Sequence, residues 1–541
     1  GAQLAQQLGR LVGARAAVML AHIVAEGVRW QMYPLYGTLG LLSLAEPLLG
    51  CHLKRRATVA VCALGAGASA GMAILFPVLA LPKPRGRYPV GRTSVLLVDP
   101  SRRPWIHEVD GAEEHRKCLT DIWYPRDPEQ PVRGLRRVGF VQERFAQKMS
   151  MAFGFPGFIG NHLRLVKSNS IGDAPPLRGQ RWPVVLFSHG MYSTRMQNTA
   201  LLEDLASHGF VCAAVDHPYD AVFVLFPDGT SAHFVPTFPP GTDFKGLHRF
   251  RHRNLQLRAQ DVSFVLDRLQ EMDREEGGLL QGTMDFSNVS GCGHSFGGGT
   301  IVMAARKDQR IRRCFLLDPW MWPLGGDIVR QGTHVPTISL ESDTFLNDRD
   351  LFTSFNSHMT SQLNRASGQM WKVVLRQAGH YEYTDMCWVS PLVLKSMGLM
   401  KLNRHDCSRL HTAMCDLVLH FFQHEKLDDA RLRRSKLDYF IEEAKPSARA
   451  AAAGDAGPAG EGETELAGAE GLTAAQKQAY LDALALVRSK EVKVVDPPRL
   501  WGADFAEQLQ ALVQAHSVEA TAEHLYALDT AVTVQAGGRS R

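Results

Sequence analysis

The sequence has nine cysteines, an odd number scattered along the chain, and none stands in a C-x-x-C pair. Several lie in apolar runs where the thiol serves as a small hydrophobe, so no disulfide framework is expected. It also lacks an H-E-x-x-H motif and any His/Cys group with zinc-ligand spacing, so the expected chemistry uses neither metal nor cofactor. His248 and His252 are one helical turn apart, but Arg-Phe-Arg lies between them, and a solvated basic helix start is the expectation there. An excess of one charge is missing too. The 60 basic and 55 acidic residues leave a net charge of +5 with no basic stripe interleaved with aromatics, which argues against nucleic acid as a partner. The Gly-rich stretch Gly297–Gly299 is followed by no Gly-Lys-Ser/Thr, which excludes a phosphate loop of that type.

What is present is the stretch Asn288–Thr300, NVSGCGHSFGGGT, which sets Ser295 between glycines in the order Gly293-His294-Ser295-Phe296-Gly297. This is the G-x-S-x-G pattern of a nucleophile elbow. A serine on a sharp strand-to-helix turn projects its hydroxyl, and the turn closes only if the residues two before and two after lack side chains. The partly β-branched run SNVSGC before the serine reads as the strand, and GGTIVMAARK after it as the helix.

An elbow serine needs a base, and the base needs an acid to orient it, in the chain order Ser, Asp/Glu, His. The apolar strand Cys314–Leu317 delivers Asp318 at its carboxyl end, and the strand Trp371–Leu375 leads to His380. A competing strand within VPTISLESD ends in Glu341 and Asp343, and periodicity does not separate it from the first. The oxyanion donors are expected to be the N–H groups of Phe296 and of Met191, the latter after His189-Gly190. His189, Trp320 and Trp322 are candidate walls of the substrate pocket, with ordinary core packing the alternative for the tryptophans.

Around this centre the chain divides into four parts. Residues 1–85 read as an N-terminal membrane-associated helical segment, because Ala57–Leu81 carries no charge and is flanked by basic residues on both sides. Gly67 and Gly71 on it form a G-x-x-x-G suited to close helix packing, and Gln31–Cys51 is a poorer second span interrupted by Pro34 and Pro47. Residues 86–440 alternate strands and helices, the pattern of a mostly parallel sheet flanked by helices. The Met- and Phe-rich segment Phe145–Phe158 is a candidate acyl pocket or lipid-contacting patch, with ordinary core packing an equal alternative, and the Phe/Pro/Gly-rich insertion 218–250 is a candidate lid or pocket wall. Asp216 and His217 precede the elbow and so fall outside the triad order; a structural role or a place on the pocket rim is expected. Residues 441–471 read as an Ala/Gly/Glu-rich flexible linker and 472–541 as a helical extension without an assigned role.

The phrases GHSFGGGT, LLDPWMWPLG, LFSHGMYSTR, LEDLASHGFVCAAVDHPYD, RYPVGRT and RNLQLRAQDVSFVLDRL together resemble the platelet-activating-factor acetylhydrolase family, the group VII phospholipases A2. The resemblance runs from about Gly86 to Gln423. It implies an α/β-hydrolase fold and places the acid on the strand directly after the elbow helix, favouring Asp318 over Asp343. Ser295, Asp318 and His380 then carry the family's triad roles, and Met191 and Phe296 its oxyanion donors. The implied activity is calcium-independent hydrolysis of the acyl ester of a platelet-activating-factor-like phospholipid, through an acyl-enzyme and at a membrane or lipid surface. Another triad-dependent carboxylesterase or acyltransferase, or a non-enzymatic membrane scaffold, are the alternatives.

Overall fold

The computed structural model describes residues 13, 16–49, 55–103, 115–152, 154–235, 244–342, 360–361, 363–364, 369–376, 378–398, 400–402, 404–437 and 439–443. The first three residues of the expected linker, 441–443, belong to the strand Tyr439–Glu443; the rest of that linker, the C-terminal extension and Asp343 lie outside the described residues.

The strands are β1 (Val90–Asp99), β2 (Arg116–Pro125), β3 (Arg137–Gly139), β4 (Lys167–Gly172), β5 (Trp182–Ser188), β6 (Val211–Val215), β7 (Phe223–Leu225) and β8 (Ser231–His233). After these come β9 (Met284–His294), β10 (Ile311–Leu317), β11 (Thr337–Ser342), β12 (Met370–Leu375) and β13 (Tyr439–Glu443). Eleven form one sheet in the order β13-β12-β11-β10-β9-β5-β6-β2-β1-β4-β3, while β7 and β8 make a separate hairpin. The centre, from β12 to β6, is parallel. Antiparallel pairings of β13 with β12, and of β2 with both β6 and β1, flank it.

Central strands of such a sheet are apolar on both faces, and successive side chains alternate between two cores. Val185 and Phe187 of β5 and Phe315 and Leu317 of β10 enter one core, with the helices Thr199–Ser207 and Arg404–His424 over it. Val184, Leu186, Cys314 and Leu316 enter the other, covered by the helices Phe244–Arg274 and Phe296–Lys307. All five parallel crossovers therefore open their carboxyl ends along one edge, where a ligand site of an open α/β sheet is found.

The basic start of the helix Phe244–Arg274 corrects the expected solvated face. His248 and Arg251 are buried, and His252 Nδ1 lies 2.9 Å from the Pro323 carbonyl, so only Arg249 and Arg253 of this turn stay in water. The helix has to cover the sheet from its first turns, which draws the basic side chains inward.

At the N-terminus two helices, Tyr33–Leu49 and Arg55–Leu75, pack on each other. Pro34 falls in the first turn of the former, where its missing N–H has no helical acceptor to lose. Gly67 and Gly71 have open space where a Cβ would sit; the close approach is instead at Gly65, against Thr38, with Ser69 Oγ accepting from Leu35 N at 3.1 Å. The stretch Arg56–Leu75 is long and apolar enough to cross a membrane, and only 11% of its most apolar window is buried, unlike the core helix of a soluble domain. The expected run to Leu81 divides at Pro77: Leu79 and Leu81 join the core beside the sheet. Trp30 joins the pair to the rest of the protein, its indole N–H donating to Ile159 O at 3.0 Å and its ring meeting Phe76 and Phe158 edge-on.

Candidate active site

Strand β9 ends at His294, and the chain then reverses into the helix Phe296–Lys307 through Ser295. Ser295 has φ 55° and ψ −124°, a conformation that a residue with a side chain adopts only when its surroundings impose it. They do so through three main-chain hydrogen bonds: Ser295 N to Leu317 O at 3.0 Å, Gly298 N to Ser295 O at 2.9 Å, and Trp320 N to Ser295 O at 2.8 Å. The glycines follow from sterics. A Cβ on Gly297 would collide with the Ser188 carbonyl, and one on Gly293 with the Gly297 carbonyl. Ser295 itself is half-exposed between buried neighbours.

Asp318 stands at the end of β10, also at positive φ (43°), with its N–H held by Leu340 O at 2.7 Å. Its side chain is sealed from solvent, and Oδ2 lies 2.6 Å from His380 Nδ1. Oδ1 accepts from Ser342 N at 2.7 Å and Oδ2 also from Ser342 Oγ at 3.0 Å. His380 opens a short 3-10 turn, His380–Tyr383, after β12, and its side chain keeps 28% of its surface in solvent. The competing Glu341 is turned elsewhere, taking Ser339 Oγ at 2.6 Å with Lys372 Nζ 3.8 Å away.

The loop after β5 brings Met191 to the same edge. A Cβ on Gly190 would lie 3.3 Å from Ser295 Cβ, which places this loop directly against the serine. Gly190 N donates to Gln197 Oε1 at 2.9 Å, and Tyr192, at φ 57°, turns the chain with its N–H on Asp220 O at 3.0 Å. Phe296 is the first residue of its helix, so its N–H has no intrahelical acceptor and is available to an anion.

The expected pocket walls are all buried side chains, His189 among them. Its ring is fully buried, receives the main-chain N–H of His217 on Nε2 at 3.2 Å and packs 5.1 Å from the His217 ring. Trp322 is fully buried against His248, while Trp320 stacks between Trp322 and Phe296.

A buried ionic layer that the sequence did not announce supports this edge. Arg258 donates to Asp220 Oδ2 at 2.9 Å, to Ser188 Oγ at 3.1 Å and to the His189 carbonyl, and lies over the Phe296 ring. Asp261 meets Arg116 at 2.6 Å and His217 Nδ1 at 2.9 Å. Burial opposes its charge, but Arg116 and His217 outweigh that and hold its carboxyl well below the usual range. Burial, then the Arg258 charge, pushes His217 down to about 3, so it is neutral. Asp216, also buried, accepts from Thr194 Oγ1 at 3.0 Å and from Arg195 N at 2.7 Å.

A family model described as platelet-activating factor acetylhydrolase, isoform II, matches residues 74–437. The chain belongs to that family. A platelet-activating factor acetylhydrolase from Cavia porcellus is 25% identical over 340 residues, 59% of this chain and 72% of the relative. A probable 1-alkyl-2-acetylglycerophosphocholine esterase from Arthroderma benhamiae is 26% identical over 196 residues, 35% of this chain and 44% of the relative. Among solved structures, a ferulic acid esterase from Streptomyces cinnamoneus aligns with a TM-score of 0.48 at 25% identity, over 64% of this chain and 92% of its own.

Proposed function

We propose that this acetylhydrolase-family chain is a serine esterase of α/β-hydrolase fold that hydrolyses the short acyl ester of platelet-activating-factor-like phospholipids. The observation that carries the reading is the 2.6 Å Asp318–His380 pair standing at the same sheet edge as the strained Ser295. Asp318 accepts from Nδ1–H and leaves Nε2 of His380 as the base. Ser295 Oγ attacks the ester carbonyl as His380 takes its proton, and the N–H groups of Met191 and Phe296 receive the oxyanion. His380 then protonates the leaving lysophospholipid hydroxyl, and water repeats the sequence on the acyl-enzyme. The names of the mammalian and fungal relatives support the acetyl ester as the substrate.

The exposed helix Arg56–Leu75 supports a membrane span that holds the enzyme where its substrate resides. A fluorophosphonate probe should label the wild type and leave Ser295→Ala unlabelled, and the wild type should cleave 2-acetyl phospholipids faster than long-chain ones. Equal labelling of both proteins would overturn the assignment.

A further inference from the structure

His294 occupies the variable position just before the nucleophile, where the motif asks for no particular side chain. In this protein its imidazole is buried and faces three parts of the site at once. Nε2 lies 3.0 Å from the main-chain carbonyl of His380. The His294 and His380 rings pack with centroids 4.5 Å apart at 38°. Nδ1 lies 3.1 Å from where a Cβ on Gly190 would sit, at the oxyanion loop, and it has no hydrogen-bond partner among the described residues.

A carbonyl only accepts, so the proton of this ring resides on Nε2 and Nδ1 carries the lone pair. Burial, then the proximity of His380, holds the His294 imidazole well below the ordinary histidine range. The ring therefore stays neutral while His380 cycles through its charged form, and adds no like charge beside it.

The Asp318 bond holds the His380 ring at Nδ1. The His294 contact acts at a different place, on the main chain from which that ring hangs. We propose that His294 is a positioning residue: its Nε2–H holds the His380 main chain so that the imidazole stays aimed at Ser295. The inference rests on His380 being the general base. Misplacement of a reacting group by about 1 Å costs roughly a hundredfold in rate, which sets the scale of the expected effect.

The test compares two substitutions in the full-length chain. Glutamine carries an amide N–H near the place of Nε2–H, whereas phenylalanine keeps a ring of similar size without a donor. His294→Gln should keep kcat on a soluble short-chain ester within about threefold of wild type. His294→Phe should lose about 30- to 100-fold in kcat with KM within about threefold, since alignment in the transition state is affected and substrate binding is not. Equal kcat in His294→Phe and wild type, or equal loss in both variants, would overturn the proposal. A measurement on the wild type covers the case in which His294→Phe does not fold. Nitrogen-15 histidine spectra should contain a neutral Nε2–H imidazole that does not titrate between about pH 5 and 8 and that vanishes in His294→Gln. A titrating or Nδ1–H ring at that position would sink the idea. If Ser295→Ala remains active, the esterase reading itself fails; if it is inactive while both His294 variants behave as wild type, only this inference does.

Discussion

Asp318 and Ser342 meet across the ends of two neighbouring strands, the Ser342 N–H and hydroxyl donating to the two carboxylate oxygens at 2.7 and 3.0 Å. The later strand thus supplies the acid's orienting donors. Asp318→Asn should lower kcat by about 10⁴ through loss of the correct His380 tautomer. Glu341→Gln, removed from His380 and bonded to Ser339, should change kcat by less than about tenfold. Steady-state rates on a soluble ester decide it, and a larger loss in Glu341→Gln would move the acid to the later strand.

The elbow glycines should tolerate no side chain. Gly297→Ala places a methyl group inside the Ser188 carbonyl, backbone against backbone, where no side chain can yield. Loss of several kcal/mol is expected, read as insoluble expression or a strongly lowered urea midpoint. Gly67→Ala meets open space in a helix and should leave solubility and activity unaltered.

These contrasts mark what the sequence could disclose. The elbow, Asp318 and His380 were legible because each follows an apolar run that had to be a buried strand, and a parallel sheet brings carboxyl ends together. His294, Gln197, Ser342 and Arg258 were not, since their roles depend on contacts between elements far apart in the chain. Periodicity likewise gave no sign that the basic turn at His248 and Arg251 would be buried, because burial of a charge is decided by its tertiary partners. β13 was missed because it lies beyond the closing helix and pairs only with a strand distant in sequence.

If Arg56–Leu75 lies in a bilayer, a charge at its middle should separate the two environments. Leu64 is 74% exposed, so Leu64→Glu costs nothing in water. In hydrocarbon a carboxylate at a helix centre costs about 2.5–3.5 kcal/mol. The variant should move from the membrane pellet toward the supernatant while hydrolysing a soluble ester at the wild-type rate. Unchanged partitioning after an alkaline wash would argue that the helix is not embedded.

Acid should destabilise the fold before it protonates the carboxylates. Burial pushes His217 down to about 3 and His248 and His411 down to about 4, below the value of about 6.5 in an unfolded chain. The unfolded chain therefore binds protons first, and stability falls as pH drops from about 6.5 toward about 4, by about 1.4 kcal/mol per pH unit for each such imidazole. Asp216 and Asp385, pushed up by burial, act in the opposite sense and reduce the net slope. Urea midpoints measured from pH 7.5 to 4.5 should fall, and fall less steeply in His248→Gln. A slope unaffected by that substitution would show that His248 is charged in the folded state.

The pairing of β13 with β12 bears on how the enzyme is handled in the laboratory. β13 covers the outer edge of the strand that leads to His380, running antiparallel from Trp371 opposite Glu443 to Leu375 opposite Tyr439. The family match ends at residue 437, two positions before β13 begins. A recombinant fragment trimmed to that boundary would keep every proposed active-site group yet leave the unpaired amides and carbonyls of β12 as a template for intermolecular strand addition. Fragments for crystallisation or assay are better ended beyond Glu443, and aggregation of a shorter one would reflect its cut edge, with no bearing on its chemistry.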